Sequence, residues 1–73
     1  MKGLQEQFLN SLRKALIPAT FFLVNGFQMK GLVRAFDDFT IVVESNGCRQ
    51  LVFKHAVSTI ASSRPVELPV DAD

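Results

Sequence analysis

Seventy-three residues make one small domain, and a chain of this size buries only about 60–65% of the surface that its unfolded form exposes. Small domains are commonly stabilised by disulfides, by a metal or by association with copies of themselves. The sequence has one cysteine, Cys48, and one histidine, His55, which excludes an intrachain disulfide and argues against a structural zinc site. With a hydrophobic content of 48%, we expect a homo-oligomer without metal or cofactor.

The formal net charge of +1 hides an uneven distribution along the chain. Residues 1–66 carry all eight lysines and arginines against four acids, a balance of +4, whereas the last seven residues carry three acids, a balance of −3. A basic body of this kind attracts polyanions. On charge alone, an ordinary mixed surface with a solvated acidic tail is the alternative.

The first predicted element is an amphipathic helix over about residues 4–16. Arg13 and Lys14 lie in its last turn, where cations interact favourably with the helix dipole. Pro18 is expected to end the helix. Apolar side chains recur along it at helical spacing: Leu4, Phe8, Leu9, Leu12 and Leu16.

A short apolar run over residues 15–24 follows Arg13 and Lys14, as in the start of a secretion signal. The run is shorter than the roughly 20 apolar residues that span a bilayer. Asn25-Gly26 follows it without a small-residue cleavage pattern. We therefore expect a cytoplasmic protein with a reduced cysteine and no membrane partner.

The chain after Pro18 predicts five short antiparallel strands, over about 19–24, 27–36, 39–44, 48–54 and 56–61. Asn25-Gly26 predicts a two-residue hairpin loop, and Gly31 marks a sharp bend in the second strand. Asp37-Asp38 and Ser45-Asn46-Gly47 predict the next two turns. One helix and five strands in a mainly β chain indicate a small, strongly bent barrel, for which SH3-like, OB and Sm barrels all remain open. Residues 66–73 predict a short acidic tail without regular structure.

Three segments distinguish among these barrels: Leu4–Asn10, Phe36-Asp37-Asp38-Phe39 and Val52–Ile60, which holds the adjacent Lys54 and His55. Together they resemble the bacterial Sm-like RNA chaperone family, Hfq, over about residues 4–65. The resemblance implies a homohexameric ring of Sm-like (SH3-like) barrels, in which the fourth strand of one subunit pairs with the fifth strand of the next and no exposed edge remains. It also implies that the partners are RNAs, namely small regulatory RNAs and mRNAs, and that the role is post-transcriptional regulation and stress response.

The resemblance places a uridine-binding site on the helix-bearing face of the ring. Phe39 would stack on a base, which is worth about 1–3 kcal/mol. Lys54 would contact a base oxygen or a phosphate, and His55 the RNA backbone. Asp38 departs from the family pattern, which usually has a polar or basic residue just before the stacking phenylalanine. A carboxylate there would repel nearby phosphate. Core packing of Phe39 and a backbone-bonded His55 are the alternatives. This helix-side set is Gln5, Asp38, Phe39, Phe53, Lys54 and His55.

The opposite face resembles a surface that binds A-rich or purine-rich RNA. Phe22 would stack on purines, and Gln50 would read an adenine edge by donating and accepting together. The alternative is ordinary hairpin packing. This hairpin-side set is Phe22, Gly26, Phe27, Gln28, Met29, Lys30, Gln50 and Thr59.

A third surface, the outer rim of the ring, is represented by the rim pair Arg13 and Lys14. Ala15 and Leu16 stand where the family often carries further positive charge. RNA annealing depends on dense positive charge, so this departure weakens the expectation that the rim anneals RNAs. A solvated last helical turn is the alternative.

The sequence offers no catalytic constellation. It has a single histidine, no Ser-His-Asp spacing, no phosphate-cradling glycine loop and no cluster of metal ligands. Asp37-Asp38 is read as a turn. We therefore expect an RNA chaperone that is not an enzyme and has no small-molecule substrate. The alternative function is an SH3-like barrel that binds peptides instead of nucleic acid.

Overall fold

One helix precedes five strands in the computed structural model, which describes residues 3–66 and residue 68. Their order confirms the predicted class, an N-terminal helix followed by an antiparallel five-stranded sheet. Each bound falls within one residue of its predicted position. The elements are α1 (Leu4–Ala15), β1 (Ala19–Leu23), β2 (Gln28–Phe36), β3 (Thr40–Ser45), β4 (Cys48–Phe53), a 3-10 turn (Lys54–Ala56) and β5 (Val57–Ser62).

Helix α1 ends by backbone geometry before it reaches Pro18. Leu16 adopts a left-handed conformation with φ of 53°, which a residue with a Cβ rarely takes. The N–H of Ile17 donates to the carbonyl of Leu12 at 3.1 Å. The chain thereby reverses and buries Ile17 with Leu12. The helix thus ends at Ala15, one residue before the predicted end.

The sheet has the strand order β4-β3-β2-β1-β5, and every neighbouring pair is antiparallel. The long strand β2 exchanges partners halfway: Gln28–Gly31 pairs with β1, and Leu32–Phe36 pairs with β3. Gly31 lies at the exchange point, where the sequence predicted a bend. A Cβ at this position would collide with the backbone carbonyl of Glu44 and would lie 2.9 Å from Cγ1 of Val43.

The loop between β1 and β2 corrects one sequence prediction. Asn25-Gly26 was expected to form a two-residue hairpin loop, but the loop has three residues, Val24, Asn25 and Gly26. The Gly26 N–H donates to the carbonyl of Leu23 at 3.0 Å, and the Leu23 N–H donates to the carbonyl of Phe27 at 2.8 Å. Only Gly26 of this dipeptide has a positive φ, 95°. A turn closed by a left-handed glycine of this kind gives a three-residue loop.

The loop between β3 and β4 takes the two-residue form instead. Asn46 and Gly47 have φ values of 53° and 81°, and Ser45 pairs directly with Cys48 across them. Two consecutive positive φ values match the twist of the flanking strands. The same dipeptide therefore makes two different loops in one chain.

The core lies between α1 and the concave side of the sheet. Phe8, Met29 and Val66 pack at its margin. Val66 belongs to the predicted tail, residues 66–73, of which Glu67 and residues 69–73 lie outside the described part; a disordered tail stays a prediction. The buried core residues are Leu9, Leu12, Ile17, Ala19, Phe21, Val33, Ile41, Val43 and Val52.

The two outer strands, β4 and β5, each have one edge that pairs with no strand among the described residues. On β4, the apolar side chains of Leu51 and Phe53 are 58% and 52% exposed. An unpaired edge with exposed apolar side chains favours strand addition from another chain. In the described part, no helix has the length and apolar character needed to cross a membrane.

The contact at Gly31 predicts that Gly31→Ala lowers the free energy of unfolding by about 1–3 kcal/mol, because the added methyl must displace strand β3. Chemical denaturation followed by circular dichroism measures the change. Gly3→Ala is the matched control, since a Cβ there meets nothing within 4 Å; its destabilisation should stay within about 1 kcal/mol. Equal stabilities of the two variants would contradict the crowding at Gly31.

Candidate nucleic-acid interface

Asp37 organises the turn between β2 and β3. Its Oδ1 accepts three hydrogen bonds of 2.8 Å, from the Phe39 N–H, the Thr40 N–H and the Thr40 hydroxyl. The Asp37 N–H in turn donates to the carbonyl of Thr40 at 2.9 Å. Asp38, predicted to share the turn, is exposed and makes no such bond among the described residues. The turn holds Phe39 outward, with 75% of the residue exposed, so Phe39 is not a core residue.

These hydrogen bonds also set the acidity of Asp37. Bonds from the Phe39 N–H and then from the Thr40 hydroxyl and N–H hold the pKa of the Asp37 carboxyl below its ordinary value of 3.8. The positive charge of Lys54 lowers this pKa further, as the smallest contribution. Each donor favours the charged form of the carboxylate.

Lys54 connects this turn to the end of β4. Its backbone N–H donates to the carbonyl of Phe39 at 2.8 Å, and its Nζ lies 5.6 Å from the centroid of the Phe36 ring, within the range of a cation–π contact. The rings of Phe53 and His55 stack with centroids 5.8 Å apart. Four exposed or half-exposed members of the helix-side set therefore lie around the end of β4, namely Phe39, Phe53, Lys54 and His55, and Asp38 adjoins Phe39 in the chain.

The 3-10 turn explains how Lys54 and His55 come to lie near the same surface. The sequence predicted that β4 runs through Lys54, but Lys54–Ala56 forms a single 3-10 turn instead. The Val57 N–H donates back to the carbonyl of Lys54. A tight turn between two strands ends the alternation of side chains between faces. Lys54 and His55 can then both remain near the same surface.

Gln5, the remaining member of the helix-side set, faces Lys54 across a groove. The groove has a volume of about 350 Å³ and lies between the start of α1 and β5. Apolar walls with a few polar groups are typical of ligand sites. Its lining residues are Leu4, Gln5, Phe8, Ile41, Lys54, Val57, Ser58, Thr59, Ile60 and Leu68.

The hairpin-side set centres on the loop between β1 and β2. Phe22 pairs with Gln28 on one side and with Thr59 on the other, so these three residues share a face of the sheet. Lys30 pairs with Thr20 on the same face. Phe27 is 70% exposed next to Gly26. Thr59 additionally lines the groove with Gln5, so it borders both sets.

Two members of the hairpin-side set stand apart from the others. Met29 pairs with the buried Phe21 and packs against the core, which favours packing as the role of its side chain. Gln50 lies on β4, where it pairs with Val43 of β3. Because β4 and β1 are separated by two strands in the sheet, one chain does not bring Gln50 beside Phe22.

The rim pair lies in the last turn of α1 as predicted. Nη2 of Arg13 donates to Oδ1 of Asn10 at 2.7 Å, and both Arg13 and Lys14 are exposed. No group of three or more His, Cys, Asp or Glu side chains that could hold a metal ion lies among the described residues.

Sequence reasoning gave no site role to Asp37 or to Phe36. Asp37 could have been recognised from the sequence, because an Asp side chain in a turn commonly accepts a hydrogen bond from the backbone N–H two residues further on. Phe36 also lay in a segment that carried the resemblance. Arg64 gave no such signal, since it reaches the helix only through a contact that spans 49 positions in the chain.

An N-terminal helix followed by a five-stranded antiparallel sheet is the architecture of the Sm-like class. The family model described as "Hfq protein" matches residues 4–67. The chain belongs to the Hfq family. It is similar to the crystal structure of the pleiotropic translational regulator Hfq, with a TM-score of 0.78 and 34% identity over 81% of this chain and 98% of that one.

Curated relatives carry the same family name. The "RNA-binding protein Hfq" of Desulforudis audaxviator (strain MP104C) is 62% identical over 64 residues, 88% of this chain and 77% of the relative. The protein of that name from Shouchella clausii (strain KSM-K16) is 54% identical over 71 residues, 97% of this chain and 92% of the relative. The resemblance inferred from the motifs is thereby confirmed.

The lowered pKa of Asp37 predicts a pH-dependent stability. Its stabilisation is complete above the unfolded value near 3.8 and is lost as the pH falls through the lower folded value. Asp37→Asn should therefore melt at a lower temperature than the wild type near pH 7. The difference should shrink as the pH falls below about 4.

Thermal unfolding between about pH 7 and pH 2 measures this difference. Asp38→Asn is the matched control in the same turn, and its melting temperature should follow that of the wild type over the range. A difference between Asp37→Asn and the wild type that stays constant with pH would show that the Asp37 charge does not hold the turn.

Proposed function

We propose that this chain is a non-enzymatic RNA chaperone that assembles as a cytoplasmic homohexameric ring. The helix-side set binds U-rich RNA, and the hairpin-side set binds A-rich or purine-rich RNA. By holding both kinds of RNA, the ring promotes pairing of small regulatory RNAs with mRNAs. The observation that carries the proposal is the exposure of Phe39 and Phe53 around Lys54 and His55. The names of the relatives, "RNA-binding protein Hfq", support it.

The helix-side set has the chemistry of a single-strand site. An outward aromatic ring such as Phe39 gives a base a surface for stacking, and stacking on protein aromatics is worth about 1–3 kcal/mol per base. Lys54 supplies positive charge close by: its backbone N–H donates to the carbonyl of Phe39, and its Nζ lies over the ring of Phe36. His55 offers a ring nitrogen as a donor or acceptor. Base, phosphate and sugar each find a partner within a few residues.

Asp38 modifies this site. It is exposed beside Phe39 and has no hydrogen-bond partner among the described residues that would absorb its charge. A carboxylate at this position repels a phosphate that follows a stacked base. The helix-side set is therefore expected to favour RNA paths that keep phosphates on the Lys54 side of Phe39.

Assembly follows from the two open edges of the sheet. Pairing β4 of one chain with β5 of the next satisfies the backbone groups of both edges and covers Leu51 and Phe53 partly. Such pairing also completes the hairpin-side set, because it brings Gln50 on β4 next to the β5 strand that holds Thr59 in the adjacent chain. The separation of Gln50 from Phe22 within one chain thus supports a site shared between neighbours.

A second candidate function is a peptide-binding barrel of SH3-like type. The exposed apolar side chains of Leu51 and Phe53 on β4 and the groove beside α1 would also suit an extended peptide. That function needs no ring and no positive charge at the end of β4. The position of Lys54 and His55 beside exposed aromatic rings favours RNA.

The first prediction is a solution mass of six chains at micromolar concentration, since a chain of this size with two open edges gains stability by pairing them. Light scattering coupled to size-exclusion chromatography measures the mass. Leu51→Lys, which places a charge on the exposed part of β4, is the variant to compare, and it should lower the mass below that of six chains. A wild-type mass of one or two chains would contradict the ring.

The second prediction concerns the two RNA sets. Lys54→Ala should weaken binding of oligo-U and leave binding of oligo-A nearly unchanged. Phe22→Ala should weaken oligo-A binding by roughly 5- to 140-fold, the equivalent of one base stack, with little effect on oligo-U. Fluorescence anisotropy at fixed salt measures both affinities.

Two controls accompany these variants. Lys14→Ala removes the same charge as Lys54→Ala but lies outside both sets, and it should lower the two affinities by a similar factor. Phe22→Leu keeps apolar volume where Phe22 is half-buried, which separates stacking from packing. Equal effects on both RNAs in Lys54→Ala and in Phe22→Ala would refute the assignment of two separate sets.

A further inference from the structure

Arg64 lies against the end of α1, far from its place in the sequence. Its Nη2 donates to the carbonyl of Ala15 at 3.3 Å. Ala15 is the last residue of α1 and follows the rim pair, Arg13 and Lys14, directly. A guanidinium at a helix C-terminus is favourable because the last carbonyls carry partial negative charge. The contact therefore places Arg64 at the helical turn that carries the rim pair, and we call these three residues the helix-end cluster.

The backbone on both sides of Arg64 is fixed. The Ser63 N–H donates to the carbonyl of Pro18 at 2.9 Å, which ties the end of β5 to the start of β1. Two residues after Arg64, Val66 packs against the core. Pro65 between them restricts its own φ. Arg64 is thus presented from an anchored segment, and little backbone entropy is lost when a ligand binds it.

The charges of the helix-end cluster are not compensated within the described part of the chain. Both ion pairs found there use one acid, Glu44, with Arg34 at 3.2 Å and Arg49 at 3.4 Å. Arg13 bonds to the neutral amide of Asn10. The helix-end cluster therefore presents three positive charges that the carboxylates of the described residues leave unpaired.

We propose that Arg64 is the third cation of a phosphate-binding surface formed with Arg13 and Lys14, on which an RNA backbone docks. The proposal rests on the proposed function and extends it to a residue outside the helix. Ala15 and Leu16 carry no positive charge where the family often does. Arg64, from the segment after β5, supplies a positive charge at this end of the helix instead.

The chemistry of the cluster fits a phosphate rather than a base. A guanidinium has five N–H donors, of which the bond to Ala15 occupies one. The others can engage a phosphate in the bidentate geometry that distinguishes arginine from lysine. Contacts to phosphate carry no sequence information. The helix-end cluster should therefore act on U-rich and A-rich RNA alike.

The test compares RNA binding by the wild type and Arg64→Gln across a series of salt concentrations. Glutamine removes the charge but keeps an N–H donor for the Ala15 carbonyl. We expect affinity for oligo-U and oligo-A to fall by the same factor, about threefold or more at low salt. The slope of log affinity against log salt should decrease by about 0.7 for each phosphate of a single strand that the variant no longer neutralises.

Two further variants separate charge from structure. Arg64→Lys keeps the charge and should retain the wild-type salt slope, whatever its melting temperature. Arg49→Gln removes an arginine that already pairs with Glu44, at 3.4 Å, and it should change the slope less than Arg64→Gln does. A decrease in affinity in Arg64→Lys as large as in Arg64→Gln would overturn a role that depends on charge.

The outcomes distinguish this inference from the proposed function. If the wild type binds RNA and Arg64→Gln binds it with the same affinity and the same salt slope, the role of Arg64 is overturned and the RNA-binding function stands. Weaker binding of only one of the two RNAs would overturn the sequence-independent role. A wild type that binds neither RNA would overturn both the function and the inference.

Discussion

The exchange of partners along β2 is the constraint on which the rest of this small fold depends. One strand pairs with β1 through its first half and with β3 through its second half, so the sheet cannot remain flat. The exchange requires the carbonyl of Glu44 to approach Gly31 more closely than any side chain would permit. Helix α1 packs against the same strand. The concave core, the cover over it and the direction of both outer strands therefore follow from how β2 curves.

The elements of the fold were predictable because they depend on local signals. Apolar side chains at helical spacing indicated α1, and Asn, Gly and Asp residues separated the strands to within one residue of their observed bounds. What local signals did not decide is loop type. Asn25-Gly26 and Asn46-Gly47 are the same dipeptide. Both glycines have a positive φ, but of the two asparagines only Asn46 does. The pairing of the flanking strands selects between the two loops, and that pairing is a tertiary property.

The candidate site was likewise predictable from the sequence only in part. Lys54, His55 and Phe39 were predicted because they stand in short, recognisable segments, and the structure groups them around the end of β4. Their roles in RNA binding stay predictions. Gln50 was predicted from the same resemblance, but one chain alone does not bring it to its partners. Arg64 was missed because its contact with Ala15 spans 49 positions of the chain and depends on where the segment after β5 lies in the folded protein.

The two open edges have a geometric consequence for any assembly built from them. The free edge of β4 and the free edge of β5 are different surfaces, so a contact between them is heterologous and its repetition produces either a closed ring or an open filament. The angle between the two edges decides which of these forms. Because the curvature of β2 sets that angle, a substitution in the interior of one barrel can change the number of subunits that close a ring, without altering any residue of the interface.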